Sequence, residues 1–449
     1  MQDISNSNKT TLIIIIFLII ISYAAGFAFN ENSSGGSPED FVNTKKNIAV
    51  FNDNSFYEAI KLTATKDNKV FQSTRTPGFY IFNKYLNPFT DNISFFQGYL
   101  TVFSLLIPIL LFMNLKIKFK DTNVYFLMFT SSLILLSPYL RSSAFWGNEE
   151  NFGIVMVGFS ALFYQLYKEA SLKKYQIFYL ILLALFSSLC VYSDQKLIII
   201  PFISLIFVMI LEKKKFNKLF LIFLYILFSI PFIYLIKLWG NITPSGDGSK
   251  RHVDIFSLVL NYQHVGYSFS IVAFYLFPFL FLLKNIKKEI LIIFKNKINF
   301  LFGFFIFFYL IYYLSYYDLE SFYLVGGGIF HKLTRIIFDN VLLQKISMSI
   351  IFLFSWLIIL LFSAQNFLNF IILTILPFLS IFISPVVFQE YFDPLMFFLI
   401  LVYIKKDFDF NIKSCYFLFF YFSSFLLASI IYYKFFATYF LFNPNIQTP

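Results

Sequence analysis

Long apolar runs constrain this chain more than any other feature. About thirteen segments of roughly twenty residues are nearly uncharged, long enough to cross a hydrocarbon core of roughly 30 Å as helices. Within a bilayer only helices and closed barrels pair all their backbone polar groups. Of the 449 residues, 59% are apolar and 13% are charged. We therefore predict an all-α, polytopic membrane helix bundle that forms one integral membrane domain over residues 1–449.

Clusters of lysine predict which loops lie on the cytoplasmic side of the membrane. With a cytoplasmic N-terminus, the short loops between alternate spans carry these lysines, in agreement with the positive-inside rule. The net charge of +11 therefore reflects topology and does not indicate nucleic-acid binding. The thirteen spans are predicted to begin at Thr11 and near Ile93, Asn123, Phe152, Gln176, Leu197, Leu219, Gly266, Ile298, Leu343, Asn366, Phe388 and Ser414.

The loops on the opposite, extracytoplasmic side are longer, which is typical of the face that carries a site. The first of them, residues 30–92, contains Ser37-Pro38-Glu39-Asp40, a pattern that predicts a helix start with proline first and acids in the first turn. Segments 51–63 and 78–89 mix aromatic and polar residues. They are predicted to be amphipathic surface helices at the membrane boundary.

Arginine is restricted to this extracytoplasmic side, whereas lysine occurs on both sides. A guanidinium binds phosphate oxygens through two parallel hydrogen bonds and keeps its charge at low dielectric. The segregation therefore indicates an anionic substrate on the extracytoplasmic face. The four arginines are Arg75, Arg141, Arg251 and Arg335.

A triple glycine precedes three of the basic candidates. Residues 326–335 read Gly-Gly-Gly-Ile-Phe-His331-Lys332-Leu-Thr-Arg335, with Lys332 and Arg335 at helical spacing. This pattern suits either a phosphate-binding cradle or a flexible linker before an interfacial helix.

Paired acids in the same set of loops are the remaining candidates. Glu39 and Asp40 suit a general base and its partner, or they simply complement a helix dipole. Glu149 and Glu150 follow Arg141 and Trp146 in one short loop, where they hold a metal or substrate hydroxyls, or form an internal ion pair in a solvated loop. Both interpretations stay open for each pair.

Two further acidic stretches interrupt apolar spans. Glu390 and Asp393 lie at the start of the twelfth predicted span, whose apolar character is the weakest of the thirteen. Charged side chains at such a position favour a functional role facing a cavity, and a plain turn is the alternative. Asp194 and Lys196 lie in a break so short that a salt-paired turn near the interface is expected.

These features together resemble the GT-C membrane glycosyltransferases. The resemblance rests on the long first outer loop with its acidic pair, on the surface helices, and on Arg75-Thr-Pro-Gly-Phe-Tyr80, which is similar to an (H/R)-x-P-G-x-Y stretch before the second span. The patch of Arg141, Trp146 and the two glutamates after the third span adds to it. It covers the architecture of most of the chain.

The resemblance implies an inverting hexosyl transfer from a polyprenyl-phosphate donor to a lipid, glycan or protein acceptor, on the periplasmic face of a bacterial inner membrane. It implies Asp40 as the base with Glu39 as its partner, and Arg75, His331, Lys332 or Arg335 as ligands of the donor phosphate. The acidic pair lies farther from the first span than is usual in the family. Glu31 therefore stays open as a rival base.

Other functions and a cofactor also stay open. A lipid-linked oligosaccharide flippase or another transporter would be polytopic too, but such proteins place ionisable groups near mid-membrane. A polysaccharide polymerase or ligase would use the same lipid donor. A divalent metal, Mg²⁺ or Mn²⁺, is left open as a cofactor, with Glu149 and Glu150 as the acids that suit it. The expected partners are the lipid donor, the bilayer and the acceptor, without nucleic acid.

Overall fold

The computed structural model describes residues 5–34, 36, 38–65, 70–71, 73, 75–90, 92–244, 264–295, 303, 326–364, 366–382 and 387–436. Every regular element within those ranges is helical. The chain divides into two compact units, Met1–Leu258 and Val259–Pro449. Arg251 and the predicted span near Ile298 lie outside the described residues.

In the first unit, serine and asparagine side chains fix where several helices begin. The side-chain oxygen of Asn92 accepts a hydrogen bond from Phe95 N–H at 3.2 Å, and that of Ser137 accepts one from Leu140 N–H at 2.9 Å. Such caps satisfy N–H groups that a first helical turn leaves unpaired. The helices are α1 (Asn6–Ala28), α2 (Pro38–Asp53), α3 (Phe56–Leu62), α4 (Gly78–Leu86), α5 (Ile93–Ser104), α6 (Leu106–Lys118), α7 (Val124–Ser132), α8 (Pro138–Trp146), α9 (Glu150–Glu169), α10 (Lys173–Ser193), α11 (Ile199–Leu211) and α12 (Lys215–Trp239).

The second unit has a similar composition of long apolar helices and short connecting ones. Asn340 and Asn411 cap two of the long helices in the same way. Its helices are α13 (His264–Leu276), α14 (Ile286–Lys295), α15 (Gly328–Ile337), α16 (Val341–Ser363), α17 (Phe367–Leu379), α18 (Leu395–Phe398) and α19 (Ile412–Ile431).

Seven helices among the described residues are long and apolar enough to cross a membrane, or eight if the pair Val124–Leu136 and Pro138–Trp146, bent by 64°, counts as one span. The protein is therefore an all-helical, multi-pass membrane protein, and the predicted count of thirteen spans is not confirmed. The seven are Asn6–Ala28, Ile93–Lys118, Lys173–Ser193, Lys215–Trp239, His264–Leu282, Val341–Ser363 and Ile412–Phe436.

The predicted twelfth span differs most from the structure. After the 3₁₀ turn Gln389–Tyr391, the helical residues there are Leu395–Phe398 and the π-helical turn Leu399–Tyr403, and the residues of these last two pieces are buried. At 1.5 Å per residue this segment is about 14 Å long, too short for a crossing. The spans predicted near Leu197 and Asn366 are likewise short apolar helices, Gln195–Leu211 and Phe367–Leu379.

The two amphipathic segments of the first outer loop are present as short helices. Phe51 belongs to the end of α2, and Ser55 caps α3 by accepting a hydrogen bond from Glu58 N–H. Helix α4 buries Phe79 and Tyr80 and exposes Tyr85 and Leu86. One face of α4 is therefore covered by protein and the other is free to meet lipid headgroups.

Contacts within the first unit gather its loops into two groups. At one end Lys120 pairs with Glu169, and Lys214 Nζ donates to Gln176 Oε1 at 2.8 Å. At the other end Trp239 Nε1 donates to Thr63 Oγ1 at 2.9 Å. This grouping matches the alternation predicted from the lysine-rich loops.

The second unit shows the same pattern within itself. Lys406 Nζ lies 2.7 Å from Glu289 Oε1, and Asp409 N–H donates to Leu282 O at 2.7 Å, so two lysine-rich loops share an end. Gly327 N–H donates to Val387 O at 2.8 Å at another point of the unit, joining two loops that were predicted to be extracytoplasmic.

Candidate active site

Arg75 is the centre of a cluster of three carboxylates in the first unit. Its Nη2 lies 2.5 Å from Glu150 Oε1, its Nη1 lies 3.0 Å from Asp194 Oδ2, and its Nε lies 3.3 Å from Glu149 Oε1. Lys196 Nζ adds a second cation, 3.2 Å from Asp194 Oδ2. The cluster thus joins the first outer loop to the two short loops that precede α9 and follow α10.

Close packing between the Arg75 loop and the end of α10 holds the guanidinium in place. Thr76 Oγ1 donates to Val191 O at 3.0 Å. A Cβ atom on Gly78 would lie 2.1 Å from Tyr192 O, so only glycine fits at that position. The glycine of the Arg-Thr-Pro-Gly stretch is therefore needed for the Arg75 loop to pack against the end of α10.

The two glutamates are presented by the turn between α8 and α9. Gly147 ends α8 with φ of 78°, a left-handed conformation that suits glycine. Ser143 Oγ then donates to Asn148 O at 3.0 Å and lies 3.3 Å from Glu150 Oε2. Glu149 is the residue before the first turn of α9, and its side chain makes no capping hydrogen bond there.

Charge within the cluster is unbalanced, because three carboxylates face two cations. Burial raises the pKa of Glu149 to about 7; Arg75 lowers that pKa, and neighbouring Glu150 raises it further. Burial would also raise the pKa of Asp194, but Lys196 and Arg75 hold that pKa below its ordinary value. The surplus proton affinity of the cluster therefore resides on Glu149.

An apolar cavity of about 590 Å³ adjoins the cluster. The loops of the cluster continue directly into its wall: Arg75 precedes Pro77 and Gly78, Glu150 precedes Phe152, and Ser193 precedes Asp194. The rest of the wall comes from α3, α4, α9, α10 and α12. It includes Phe56, Ile60, Ile81, Phe82, Met156, Leu185, Phe186, Ser188, Leu189, Tyr192, Leu227, Phe228, Pro231, Tyr234 and Leu235.

A contact between α10 and α12 lies in one wall of this cavity. Pro231 lies within the helix and has no N–H to donate. One residue later, the Tyr192 hydroxyl enters the helical ladder: it accepts from Phe232 N–H at 2.9 Å and donates to Phe228 O at 2.7 Å. Insertion of a polar group into the i to i−4 ladder bends a helix. Tyr192 therefore ties the end of α10 to α12 beside Pro231.

The predicted base Asp40 lies in the first turn of α2 and is half-buried, whereas the side chain of Glu39 lies outside the described part of the structure. The next residue, Phe41, packs against Phe96 with ring centroids 5.5 Å apart. A Cβ atom on Gly147 would lie 3.1 Å from Phe41. The start of α2 therefore packs beside the turn that leads to Glu149.

Arg141 binds a different acid from those of the cluster. Its Nε and Nη2 donate to Glu31 Oε1 and Oε2 at 2.8 Å and 2.5 Å, and Nη2 also donates to Ser22 O at 2.7 Å. The residue is 1% exposed. A substrate could reach Arg141 only by breaking these contacts, and Glu31, the rival base, is held in the same pair.

In the second unit, α15 carries the basic candidates. Burial lowers the pKa of His331 to about 3, with the charges of Arg335 and Lys332 adding to the effect. Lys332 Nζ donates to Tyr433 OH at 3.0 Å and lies 4.6 Å from the centre of the Tyr432 ring. Burial also lowers the pKa of Lys332 to about 8. His331 is therefore neutral at pH 7, and Lys332 stays mostly charged.

The glycine turn before α15 is closed by a protein side chain. Gln389 Oε1 accepts from Ile329 N–H at 2.9 Å, and Gln389 Nε2 donates to Tyr275 OH at 3.1 Å. A phosphate would have to displace Gln389 from that N–H group, which disfavours the phosphate-cradle interpretation of the turn. Glu390, next to Gln389, is half-buried, and Asp393 is buried.

The described residues contain no group of three His, Cys, Asp or Glu side chains that could hold a metal ion. In the Arg75 cluster the carboxylates are directed at a guanidinium, which already supplies the positive charge that a metal would bring. The cluster therefore does not fit Mg²⁺ or Mn²⁺, and no chemical step is assigned to a metal.

Sequence patterns placed Arg75, Glu149 and Glu150 among the candidates, and the structure brings these three together. The expected salt pair of Asp194 and Lys196 is confirmed. Its membership of the cluster was missed, although its position at a break between apolar spans was a usable signal. No pattern in the sequence indicated the role of Tyr192.

Comparison of the chain with protein-family models, with curated proteins and with solved structures finds no match.

Proposed function

We propose that this protein is a membrane glycosyltransferase that takes a sugar from a polyprenyl-phosphate donor. The observation that carries the proposal is that residues next to the charged cluster in the chain, Gly78, Phe152 and Ser193, line the 590 Å³ apolar cavity. A lipid-linked sugar has the same two parts, a hydrocarbon chain and a polar head. The cavity suits the chain, and the cluster suits the head.

The side chains of the cluster match the chemistry of that head. Carboxylates accept hydrogen bonds from sugar hydroxyls, and a cation stabilises the phosphate as it leaves. The Lys196 side chain is 25% exposed and that of Arg75 is 15% exposed, so Lys196 is the more accessible cation. We expect Lys196 to face the phosphate and Arg75 to orient the acids.

The reaction is a single displacement with inversion at the anomeric carbon. An acceptor oxygen forms a bond to that carbon, the bond from the carbon to the phosphate oxygen breaks, and the polyprenyl phosphate leaves with the electron pair. A base must take the proton of the acceptor hydroxyl. The resemblance to GT-C enzymes assigns this role to Asp40 with Glu39, and that assignment stays a prediction.

The location of the reaction follows from the same proposal. The cluster lies at the end of the first unit opposite the lysine-rich loops, which the positive-inside rule places in the cytoplasm. Transfer of a hexose to a lipid, glycan or protein acceptor would therefore occur on the extracytoplasmic face, of a bacterial inner membrane in our proposal. For His331, Lys332 and Arg335, the role of phosphate ligand stays a prediction from the resemblance.

Purified protein incubated with radiolabelled polyprenyl-phosphate hexoses tests the function. Membranes of the producing cell serve as the source of acceptor, and release of free polyprenyl phosphate is measured alongside transfer of the label. We expect release from at least one donor. Absence of release with every donor would contradict the proposal and favour a lipid-linked sugar transporter, which moves its substrate without breaking it.

A cavity-filling variant links that activity to the proposed site. Ser188→Phe places a large side chain in the wall of the cavity, and Ile181→Phe adds a similar side chain on the same helix at a residue that does not line the cavity. We expect the first variant to raise the KM for the donor at least tenfold and the second to leave it unchanged. Equal effects of the two variants on the donor KM would show that the donor does not bind in this cavity.

A further inference from the structure

The three carboxylates of the cluster do not share Arg75 equally. Glu150 and Asp194 lie 2.5 Å and 3.0 Å from its terminal nitrogens, whereas Glu149 is held by one contact of 3.3 Å to Nε. Asp194 is also paired with Lys196, and its Oδ1 accepts from Lys196 N–H at 3.0 Å. Two acids are therefore firmly bound, and Glu149 is the most loosely held.

The groups that face Glu149 make it the acid with the highest proton affinity. Glu150 and Asp194 repel its charged form, whereas Arg75 and a backbone N–H hydrogen bond stabilise that form. Tyr80 lies close enough that the charge of Glu149 raises its pKa, after the larger effect of burial. The Tyr80 hydroxyl accepts from Asn47 Nδ2 at 3.2 Å and supplies no positive charge. The resulting pKa of about 7 for Glu149 suits proton transfer at neutral pH.

The position of Glu149 in the chain is close to the wall of the cavity. Phe152, three residues farther along the first turn of α9, lines the cavity. The side chain of Glu149 is 13% exposed, so the carboxyl group is sheltered from bulk water but accessible. Low exposure strengthens its interaction with a proton donor.

We infer that Glu149 is the catalytic base of the glycosyl transfer proposed above, and that Arg75 is the positioning residue that orients it. The Glu149 carboxylate accepts the proton of the acceptor hydroxyl while that oxygen bonds to the anomeric carbon and the polyprenyl phosphate departs with the electron pair. The protonated Glu149 then returns its proton to water. The inference rests on the proposed function and moves the base from Asp40 to Glu149.

The pH dependence of turnover tests the inference, with the donor that the wild-type protein cleaves as the probe. A base must be deprotonated, so wild-type kcat/KM should fall about tenfold per pH unit below about pH 7. Glu149→Gln should lower kcat at least 100-fold, change the donor KM little, and abolish this acidic limb. Asp40→Asn should keep the limb at the same pH.

Glu150→Gln is the matched variant, because it removes the same charge one residue away. The charge of Glu150 raises the pKa of Glu149. This variant should therefore retain the acidic limb but shift it to lower pH, whatever its effect on the absolute rate. A limb that stays in place would contradict the inference, and this readout remains valid even if Glu149→Gln fails to fold.

The outcomes separate this inference from the proposed function. If wild-type protein cleaves a donor and folded Glu149→Gln retains more than a tenth of its kcat with the limb intact, Glu149 is not the base and the function stands. If Asp40→Asn alone abolishes the limb, Asp40 is the base. If wild-type protein cleaves no donor, the function and the inference both fail.

Discussion

Arg141 holds Glu31 through two parallel hydrogen bonds, with Nε to Oε1 at 2.8 Å and Nη2 to Oε2 at 2.5 Å. Trp146 Nε1 also donates to Glu31 O at 3.0 Å, so α8 binds the residues that follow α1 at two points. A planar guanidinium matches a carboxylate in this way, and an ammonium group does not. We interpret the pair as a structural tie between α1 and α8.

Loss of either partner should therefore destabilise the protein. Glu31→Gln and Arg141→Met should each lower the free energy of unfolding by about 3–5 kcal/mol, because one buried charge loses its partner. Thermal unfolding in detergent measures the effect. The double variant Glu31→Gln/Arg141→Met should recover part of the loss. A Glu31→Gln protein of normal stability that has lost turnover would instead identify Glu31 as the base.

Arg75 and Asp194 should be strongly coupled in stability. Arg75→Gln and Asp194→Asn both disrupt the same cluster. A double-mutant cycle should therefore give an interaction free energy of about 0.5–3 kcal/mol. The control cycle combines Arg75→Gln with Glu169→Gln, whose side chain pairs with Lys120 at the other end of the unit. Those effects should add to within about 0.5 kcal/mol. Equal coupling in both cycles would contradict the contacts around Arg75.

Local patterns in the sequence were sufficient to predict several features. Pro38 followed by two acids marks the start of α2, and the mixture of aromatic and polar residues after Gly78 marks α4. Both depend on neighbours within one or two helical turns. The alternation of apolar segments and loops also predicted that Arg75, Glu149 and Asp194 share one end of the first unit, where they are in contact.

The partner of each charged group could not be predicted in the same way. Arg141 is eight residues from Glu149 and pairs with Glu31, which is 110 residues away, whereas Arg75 pairs with Asp194 at a separation of 119 residues. Topology restricts a loop to one end of a bundle, but helix packing decides which loops touch. The same limit applies to the buried segment Leu395–Tyr403, since composition does not distinguish a buried helix from a spanning one.

Removal of the Tyr192 hydroxyl should weaken donor binding. In Tyr192→Phe the hydrogen bonds to Phe228 O and Phe232 N–H are lost, so the end of α10 is held less firmly against α12 in the wall of the cavity. The loss of about 0.5–1.5 kcal/mol of binding free energy corresponds to a two- to tenfold rise in the KM for the donor. Steady-state kinetics with the donor measures it.

Tyr225→Phe is the control for Tyr192→Phe. The Tyr225 hydroxyl lies 2.9 Å from Ser187 Oγ, so it joins the same two helices, and neither residue lines the cavity. This variant should lose stability without a change in the donor KM. An equal rise in KM for both variants would show that general loosening of α10 and α12, and not the shape of the cavity, controls binding.

The unusual pKa of Glu149 also predicts how stability changes with pH. Its pKa of about 7 in the folded protein exceeds its ordinary value of 4.5, so the folded state binds this proton more tightly than the unfolded state does. The corresponding stabilisation is fully present below about pH 4.5 and is lost as pH rises through about 7. Glu149→Gln carries no titrating group at this position and lacks that dependence. The unfolding midpoint of the wild type minus that of Glu149→Gln should therefore fall steadily between pH 4.5 and pH 8, as measured by thermal unfolding in one detergent. A difference that stays constant or rises over this range would show that Glu149 has an ordinary pKa in the folded protein.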